Sequence, residues 1–249
     1  MKILGLIPAR YDSSRFPGKP LSIIAGKTMI QRVYEQASKA SLLNRVVVAT
    51  DDARIEAAVL QFGGNVVMTS PEHRSGTDRC FEALCNLGQD FDAVVNIQGD
   101  EPFIDPMQIQ QIASIITQDK VDIATLAMPI TDPEMIHNAN VVKVVMNAQG
   151  RAMYFSRSAI PYVRDCSIEQ WLERCPFYKH VGIYAYKSSV LQHITMLPPG
   201  VLEKTESLEQ LRWLENGVDV YVGITHCEGI SVDTKEDLQK AIIFAMHNQ

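Results

Sequence analysis

The 249-residue chain predicts a single three-layer α/β domain built on a mostly parallel sheet. Two observations carry that prediction. Short apolar runs alternate with stretches of helical periodicity, and the runs empty into polar loops rich in Gly, Pro and Asp. With 46% hydrophobic residues and no low-complexity tract, the chain is also long enough to bury one sizeable core. The elements follow in order. Residues 3–7 are a buried strand closed by Pro8, 29–39 a helix, 46–49 a strand and 55–62 a helix. The alternation continues with a strand at 65–68, a helix at 78–87 and a strand at 93–97 that opens onto Gln98-Gly99-Asp100-Glu101-Pro102. A helix at 109–116 and a strand at 123–128 precede two strands, 141–146 and 152–155, joined by a turn at 147–150, which predicts a hairpin. Downstream, 182–186 is strand, 206–215 a helix ended by Asn216-Gly217, 218–222 strand and 235–246 the closing helix. The segment 130–190 is expected as an insertion that covers the site or forms a dimer contact.

Charge and cysteine usage narrow the function. Lys and Arg number 23 against 29 Asp and Glu, a net charge of −6, which argues against nucleic acid or an anionic membrane as partner because both need a basic surface. The cysteines at 80, 85, 166, 175 and 227 form no C-x-x-C pair, and an odd, scattered set points to reduced thiols in the cytosol. No apolar stretch approaches the roughly 18 residues that span a bilayer, so a cytoplasmic protein is expected.

Cations are instead concentrated in one loop. Directly after the first strand come Arg10, Arg15 and Lys19, with hydroxyls at Ser13 and Ser14 and with Gly18, where backbone can approach a ligand. Open α/β sheets bind ligands at this carboxyl end of a strand, and a mixture of guanidinium forks and an ammonium suits a polyphosphate. Two common phosphate motifs are missing. Gly26-Lys27-Thr28 imitates the end of a P-loop, but Leu21 stands where that pattern needs glycine, and G-x-G-x-x-G occurs nowhere.

Two carboxylates stand at comparable positions. Asp100 lies just past a buried strand, and Asp233 sits in Ser231-Val232-Asp233-Thr234. Together they can hold Mg²⁺, which prefers a few carboxylates plus waters and phosphate oxygens. Asp233 has a second reading, as does Thr234: either can cap the last helix. The six histidines are dispersed without H-E-x-x-H spacing, so zinc is not expected.

Six ordered segments together resemble one enzyme family, the 3-deoxy-manno-octulosonate (Kdo) cytidylyltransferases. They are Ile7-Pro8-Ala9-Arg10 with Arg15-Phe16-Pro17-Gly18-Lys19-Pro20-Leu21; Ser75-Gly76-Thr77-Asp78-Arg79; Asn96-Ile97-Gln98-Gly99-Asp100-Glu101-Pro102; Tyr154-Phe155-Ser156-Arg157; Tyr178-Lys179-His180-Val181-Gly182-Ile183-Tyr184; and Glu206-Ser207-Leu208-Glu209-Gln210-Leu211-Arg212. The likeness covers nearly the whole chain. It implies a Rossmann-like nucleotidyltransferase fold with an inserted hairpin, a homodimer, and Mg²⁺-dependent transfer of CMP from CTP to the 2-hydroxyl of Kdo for lipopolysaccharide synthesis. It further implies that Arg10 and Lys19 grip the triphosphate with help from Ser13, Ser14 and Arg15, and that Asp100 and Asp233 hold the metal. Gln98 with Arg74, Ser75, Gly76 and Thr77 would line the nucleotide and sugar pocket. Arg157 and His180 would meet the sugar carboxylate, and Tyr184, Glu209 and Gln210 its hydroxyls. Structural alternatives stand beside three of these: Arg157 as a strand cap, His180 as a core histidine and Glu209 as a solvated helix position. Two other functions stay open, a cytidylyltransferase for another acidic sugar (8-amino-Kdo or a sialic acid) and a noncatalytic nucleotide-binding module.

Overall fold

The structure, a computed structural model, describes residues 1–12, 16–73 and 75–247. Strand β1 (Ile3–Ala9) runs two residues past the expected end and takes in Pro8. A two-residue hairpin that the sequence did not announce, β2 (Ile23–Ile24) with β3 (Lys27–Thr28), leads into α1 (Met29–Ala37). Thr28 caps α1 by accepting the Gln31 N–H at 3.2 Å, and Met29, Ile30, Val33 and Ala37 form its buried face. Then come β4 (Arg45–Thr50), α2 (Ala53–Gln61), β5 (Val66–Met68), α3 (Gly76–Asn86), β6 (Ala93–Asn96), α4 (Pro106–Ile116) and β7 (Ile123–Pro129). Asp52, Ser75 and Asp105 cap the three helices of this stretch, so each helix starts where a short polar side chain satisfies its first N–H groups.

The second half contains α5 (Pro133–His137), the hairpin β8 (Lys143–Met146) and β9 (Ala152–Ser156), α6 (Trp171–Arg174), β10 (Tyr178–Lys187) and α7 (Ser188–Thr195). It closes with α8 (Val201–Glu206), α9 (Gln210–Glu215), β11 (Val220–Ile224) and α10 (Lys235–His247). The central sheet has the order β11-β7-β10-β6-β1-β4-β5. Four of its pairings are parallel, and only β10 runs against its neighbours β6 and β7. One apolar cluster joins the sheet to α1, α2 and α4 through Ile30, Val33, Ile55, Val59, Ile109 and Ile112. A second, on α3, α7 and α9, contains Cys80, Ala83, Leu191, Ile194, Leu211 and Trp213. Helices thus cover both faces, which is why β1, β4 and β6 are near-continuous apolar runs. The fold is the three-layer, mostly parallel α/β architecture that the sequence predicts.

Two expectations need correction. Of the segment 130–190, the stretch Tyr178–Lys187 is a central strand, so what stands off the main sheet is α5, α6 and the β8–β9 hairpin, which joins it where Lys143 pairs with Lys179. The helix expected at 206–215 is two helices, broken at Ser207, whose φ of 53° is left-handed. Tertiary contacts override helical propensity there. The Arg157 guanidinium donates to the carbonyls of Glu206 and Ser207, which takes up acceptors that end α8, while the Glu206 carboxylate accepts from Ser156 Oγ at 2.6 Å and Arg157 N at 2.8 Å. Inside the hairpin region, the Lys143 ammonium donates to the carbonyls of Asn138, Val141 and Arg157 at 2.7 to 2.9 Å, and burial holds it below the ordinary lysine range.

Candidate active site

The carboxyl ends of β1 and β6 open side by side into a cavity of about 260 Å³. Its wall includes Arg10, Lys19, Ser75, Gly76, Gln98, Asp100 and Asp233, seven residues singled out in the sequence. Steric demands explain why these loops come so close. A Cβ on Gly99 would stand 2.9 Å from the Pro8 carbonyl oxygen, so a side chain there forces the two strand ends apart. Gly18 has a φ of +72° and lies against the Tyr11 ring, with its N–H donating to the Tyr11 carbonyl at 2.9 Å. That turn places Lys19 at the start of the 3₁₀ turn Lys19–Leu21.

Lys19 is the centre of the charge arrangement. Its Nζ donates to Asp100 Oδ2 at 2.9 Å and to Asp233 Oδ1 at 3.3 Å, joining residues from both ends of the chain. The Val232 N–H donates to the Asp100 carbonyl at 2.9 Å, so backbone as well as side chains brings the two aspartates together. The two readings of Asp233 and Thr234 also separate. Thr234 Oγ1 accepts the Asp237 N–H at 3.2 Å, and Asp237 Oδ2 accepts from the Thr234 N–H at 3.1 Å, a capping box at the start of α10. Thr234 caps the helix, and the Asp233 side chain turns to Lys19. Next to Asp100, the Glu101 carboxyl is pushed up to about 7 by burial and by the Asp100 charge.

Gln98 reaches from this cavity to β10, where its Nε2 donates to the Gly182 carbonyl at 2.8 Å in the irregular part of that strand. Ser75 both lines the cavity and caps α3, accepting the Asp78 N–H at 3.1 Å. Thr77, Tyr184, Glu209 and Gln210 are not on the cavity wall. Thr77 Oγ1 donates to Glu209 Oε2 at 2.8 Å, and burial raises the Glu209 carboxyl above its ordinary value. The Tyr184 ring stacks on Tyr186 and meets Trp213 edge-on, and its hydroxyl is pushed up by burial and then by Glu209. Gln210 lies buried at the start of α9. Glu209 is therefore not a solvated helix position.

The two cationic partners expected for an acid sugar, His180 and Arg157, both make contacts within the protein, and His180 also lines a second cavity with Lys179, Val181 and Gly182. Thr125 Oγ1 donates to the Ile183 carbonyl at 2.8 Å, so its only proton is used and it accepts from His180 Nε2 at 3.0 Å. The His180 ring lies against Phe155 and Tyr184, and burial lowers its pKa to about 4, so it is neutral at pH 7. Arg157 is committed to Glu206, Ser207 and the Ala139 carbonyl. It is the clamp between β9 and α8, close to its strand-cap alternative. Ser13, Ser14, Arg15 and Arg74 lie outside the described residues.

The cavity also holds residues that sequence reasoning gave no role: Pro8, Ala9, Pro20, His73, Arg79 and Gly99. Arg79 is buried, with its guanidinium donating to Thr69 Oγ1 at 2.6 Å and Asp51 Oδ2 at 3.0 Å. Its membership in the segment Ser75–Arg79 was the available signal, as adjacency to Asp100 was for Gly99.

A parallel-sheet crevice with cations on one loop and paired carboxylates beside them suits nucleotide phosphates, as in the nucleotidyltransferase class of α/β enzymes. Comparison with known proteins narrows the class: the sequence profile of the cytidylyltransferase family matches residues 4–220, and the chain belongs to that family. It is 56% identical to the 3-deoxy-manno-octulosonate cytidylyltransferase of Parabacteroides distasonis, over 98% of each chain, and 55% identical to that of Bacteroides thetaiotaomicron, over 97% of each. Among solved structures it resembles CMP:2-keto-3-deoxy-manno-octonic acid synthetase complexed with CTP, at 41% identity and a TM-score of 0.93 over the whole of both chains. A nucleotidyl transferase from Methanothermobacter, at 15% identity and a TM-score of 0.63, shares the fold. Among the described residues no helix is long and apolar enough to cross a membrane.

Proposed function

We propose that this enzyme transfers CMP from CTP to the anomeric 2-hydroxyl of Kdo, releasing pyrophosphate, as a cytoplasmic step in lipopolysaccharide synthesis. The observation that carries the reading is the convergence of Asp100 and Asp233 on Lys19 in a cavity walled by Arg10 and Gln98, in a chain so close to named Kdo cytidylyltransferases. The sugar oxygen forms a bond to the α-phosphorus while the bond from that phosphorus to the bridging oxygen breaks. The hydroxyl proton passes to solvent, and pyrophosphate departs with the bond's electrons. No covalent enzyme intermediate is needed. Lys19 and Arg10 stabilise charge on the departing phosphates, and Gln98, held by Gly182, fixes the wall against which the substrates lie.

Two carboxylates already gathered around a cationic group are a fitting donor set for Mg²⁺, which takes one or two carboxylates and completes its shell with water and phosphate oxygens. Among the described residues no cluster of three or more His, Cys, Asp or Glu competes as a metal site. Asp100 and Asp233 would hold the ion, which supplies charge neutralisation at the α-phosphate.

The reading is tested by pyrophosphate release with CTP, Mg²⁺ and either Kdo or its 8-amino analogue, with UTP and a sialic acid as controls. Release is expected with CTP and Kdo only. Turnover of the amino sugar or a sialic acid instead reassigns the acceptor, and silence with every pair leaves a binding role. A homodimer is also proposed, with the β8–β9 hairpin region as its contact. Light scattering should return twice the 27.8 kDa chain mass, and the mass of one chain overturns it.

A further inference from the structure

The loop between β5 and α3 brings His73 and Ser75 to the cavity wall, where Gly76 and Arg79 of α3 follow. A residue outside the cavity holds that loop. Glu82, in the second half of α3, accepts the Ser70 N–H at 2.9 Å on the same oxygen, Oε2, that meets His73 Nε2. Its other oxygen accepts from Asn86 Nδ2 at 3.4 Å, and Asn86 also donates to the Met68 carbonyl at 3.2 Å. The loop is thus gripped at two points three residues apart by one carboxylate. Burial pushes the Glu82 carboxyl up, but the donors Ser70, His73 and Asn86 together hold it below its ordinary value. An ionised carboxylate only accepts, so the proton between Glu82 and His73 belongs to Nε2, which fixes the orientation of the ring.

We propose that Glu82 is a positioning residue for the nucleotide: through Ser70 and His73 it clasps the β5–α3 loop and sets His73, Ser75 and Gly76 against the bound CTP. The inference rests on the reading that CTP occupies this cavity. Glu82 touches no substrate itself. A clasp of this kind acts on one substrate and on its binding, whereas a merely structural carboxylate lowers thermal stability without selecting either substrate.

Steady-state kinetics with CTP, Mg²⁺ and Kdo, together with calorimetric titration of CTP in the presence of Mg²⁺, separate these cases. In Glu82→Ala the KM and Kd for CTP are expected to rise on the order of tenfold, with kcat and the KM for Kdo changed by less than about twofold. Glu82→Gln keeps an amide oxygen that accepts from Ser70 and His73, and it is expected to stay within about threefold of the parent. An unchanged KM and Kd for CTP in Glu82→Ala, equal losses for both substrates, or a glutamine variant as impaired as the alanine one overturns the proposal. Should Glu82→Ala fail to fold, His73→Ala carries the same expectation for CTP binding. A parent protein that binds CTP but releases no pyrophosphate fails the catalytic reading alone, and the titration still decides the clasp.

Discussion

Asp100→Ala is expected to lower kcat on the order of 10³-fold while the protein stays folded. The rate effect follows from the position of the carboxylate. Asp100 stands past the end of β6 in the cavity, with Asp233 on the other side of Lys19 Nζ. Removing it halves the charged donor set available to a divalent ion and leaves α-phosphate charge less well neutralised. The fold should survive because the structural link at this point is made by backbone. The Val232 N–H donates to the Asp100 carbonyl, a bond that alanine keeps, and Lys19 retains Asp233 as a partner. The Asp100 side chain is also 28% exposed, so its ion pair adds little to stability. A Tm within a few degrees of the parent together with lost pyrophosphate release is the expected pair of results. Near-normal turnover at saturating Mg²⁺ removes the metal role from Asp100.

Much of this site was legible because parallel strands deliver their loops to one edge of the sheet. Once residues 3–7 and 93–97 read as buried parallel strands, Arg10 and Lys19 on one side and Gln98 and Asp100 on the other had to open at the same edge of the sheet, and the pairing of β1 with β6 brings them to one crevice. Asp233 was harder to assign, because Asp and Thr before a helix are equally good caps. Only the capping box between Thr234 and Asp237 separates the two roles. What the sequence hid depends on long-range contacts. His180 and Arg157 have the residue types that meet a sugar carboxylate. Whether a histidine is charged depends on its surroundings, and here burial against Phe155 and Tyr184 keeps His180 neutral. Two of the carbonyls that occupy Arg157, those of Glu206 and Ser207, are open to it because Ser207 breaks the helix, and no local pattern announces a left-handed serine. Glu82 was invisible for a similar reason: its partners Ser70 and His73 lie on a loop whose path is set by the tertiary fold.

Lys19→Met is expected to cost about 2–4 kcal/mol in the barrier, a loss of some 10²–10³-fold in kcat, and to make thermal stability depend on Mg²⁺. Two effects of one ammonium are involved. In the proposed reaction Lys19 faces the phosphates and its charge grows in value as pyrophosphate leaves, so the loss is expected to fall on kcat and on kcat/KM alike. Without substrate, the same ammonium is what two aspartates share. Methionine conserves the length of the stem but takes away the ammonium to which both Asp100 and Asp233 are bonded, which weakens the closed arrangement of the Asp100 and Asp233 loops. Added Mg²⁺ can fill that role, and a ligand that binds only the folded state raises Tm by mass action. The variant is therefore expected to melt below the parent in a chelator and to recover most of the difference in millimolar Mg²⁺, whereas the parent should respond less because Lys19 already neutralises the pair. Both halves can be checked with the same preparation, by pyrophosphate release and by thermal melts with and without chelator. A rate loss of about tenfold or less counts against the charge role of Lys19. A melting temperature as indifferent to Mg²⁺ as that of the parent shows that the two carboxylates are not the ion's ligands.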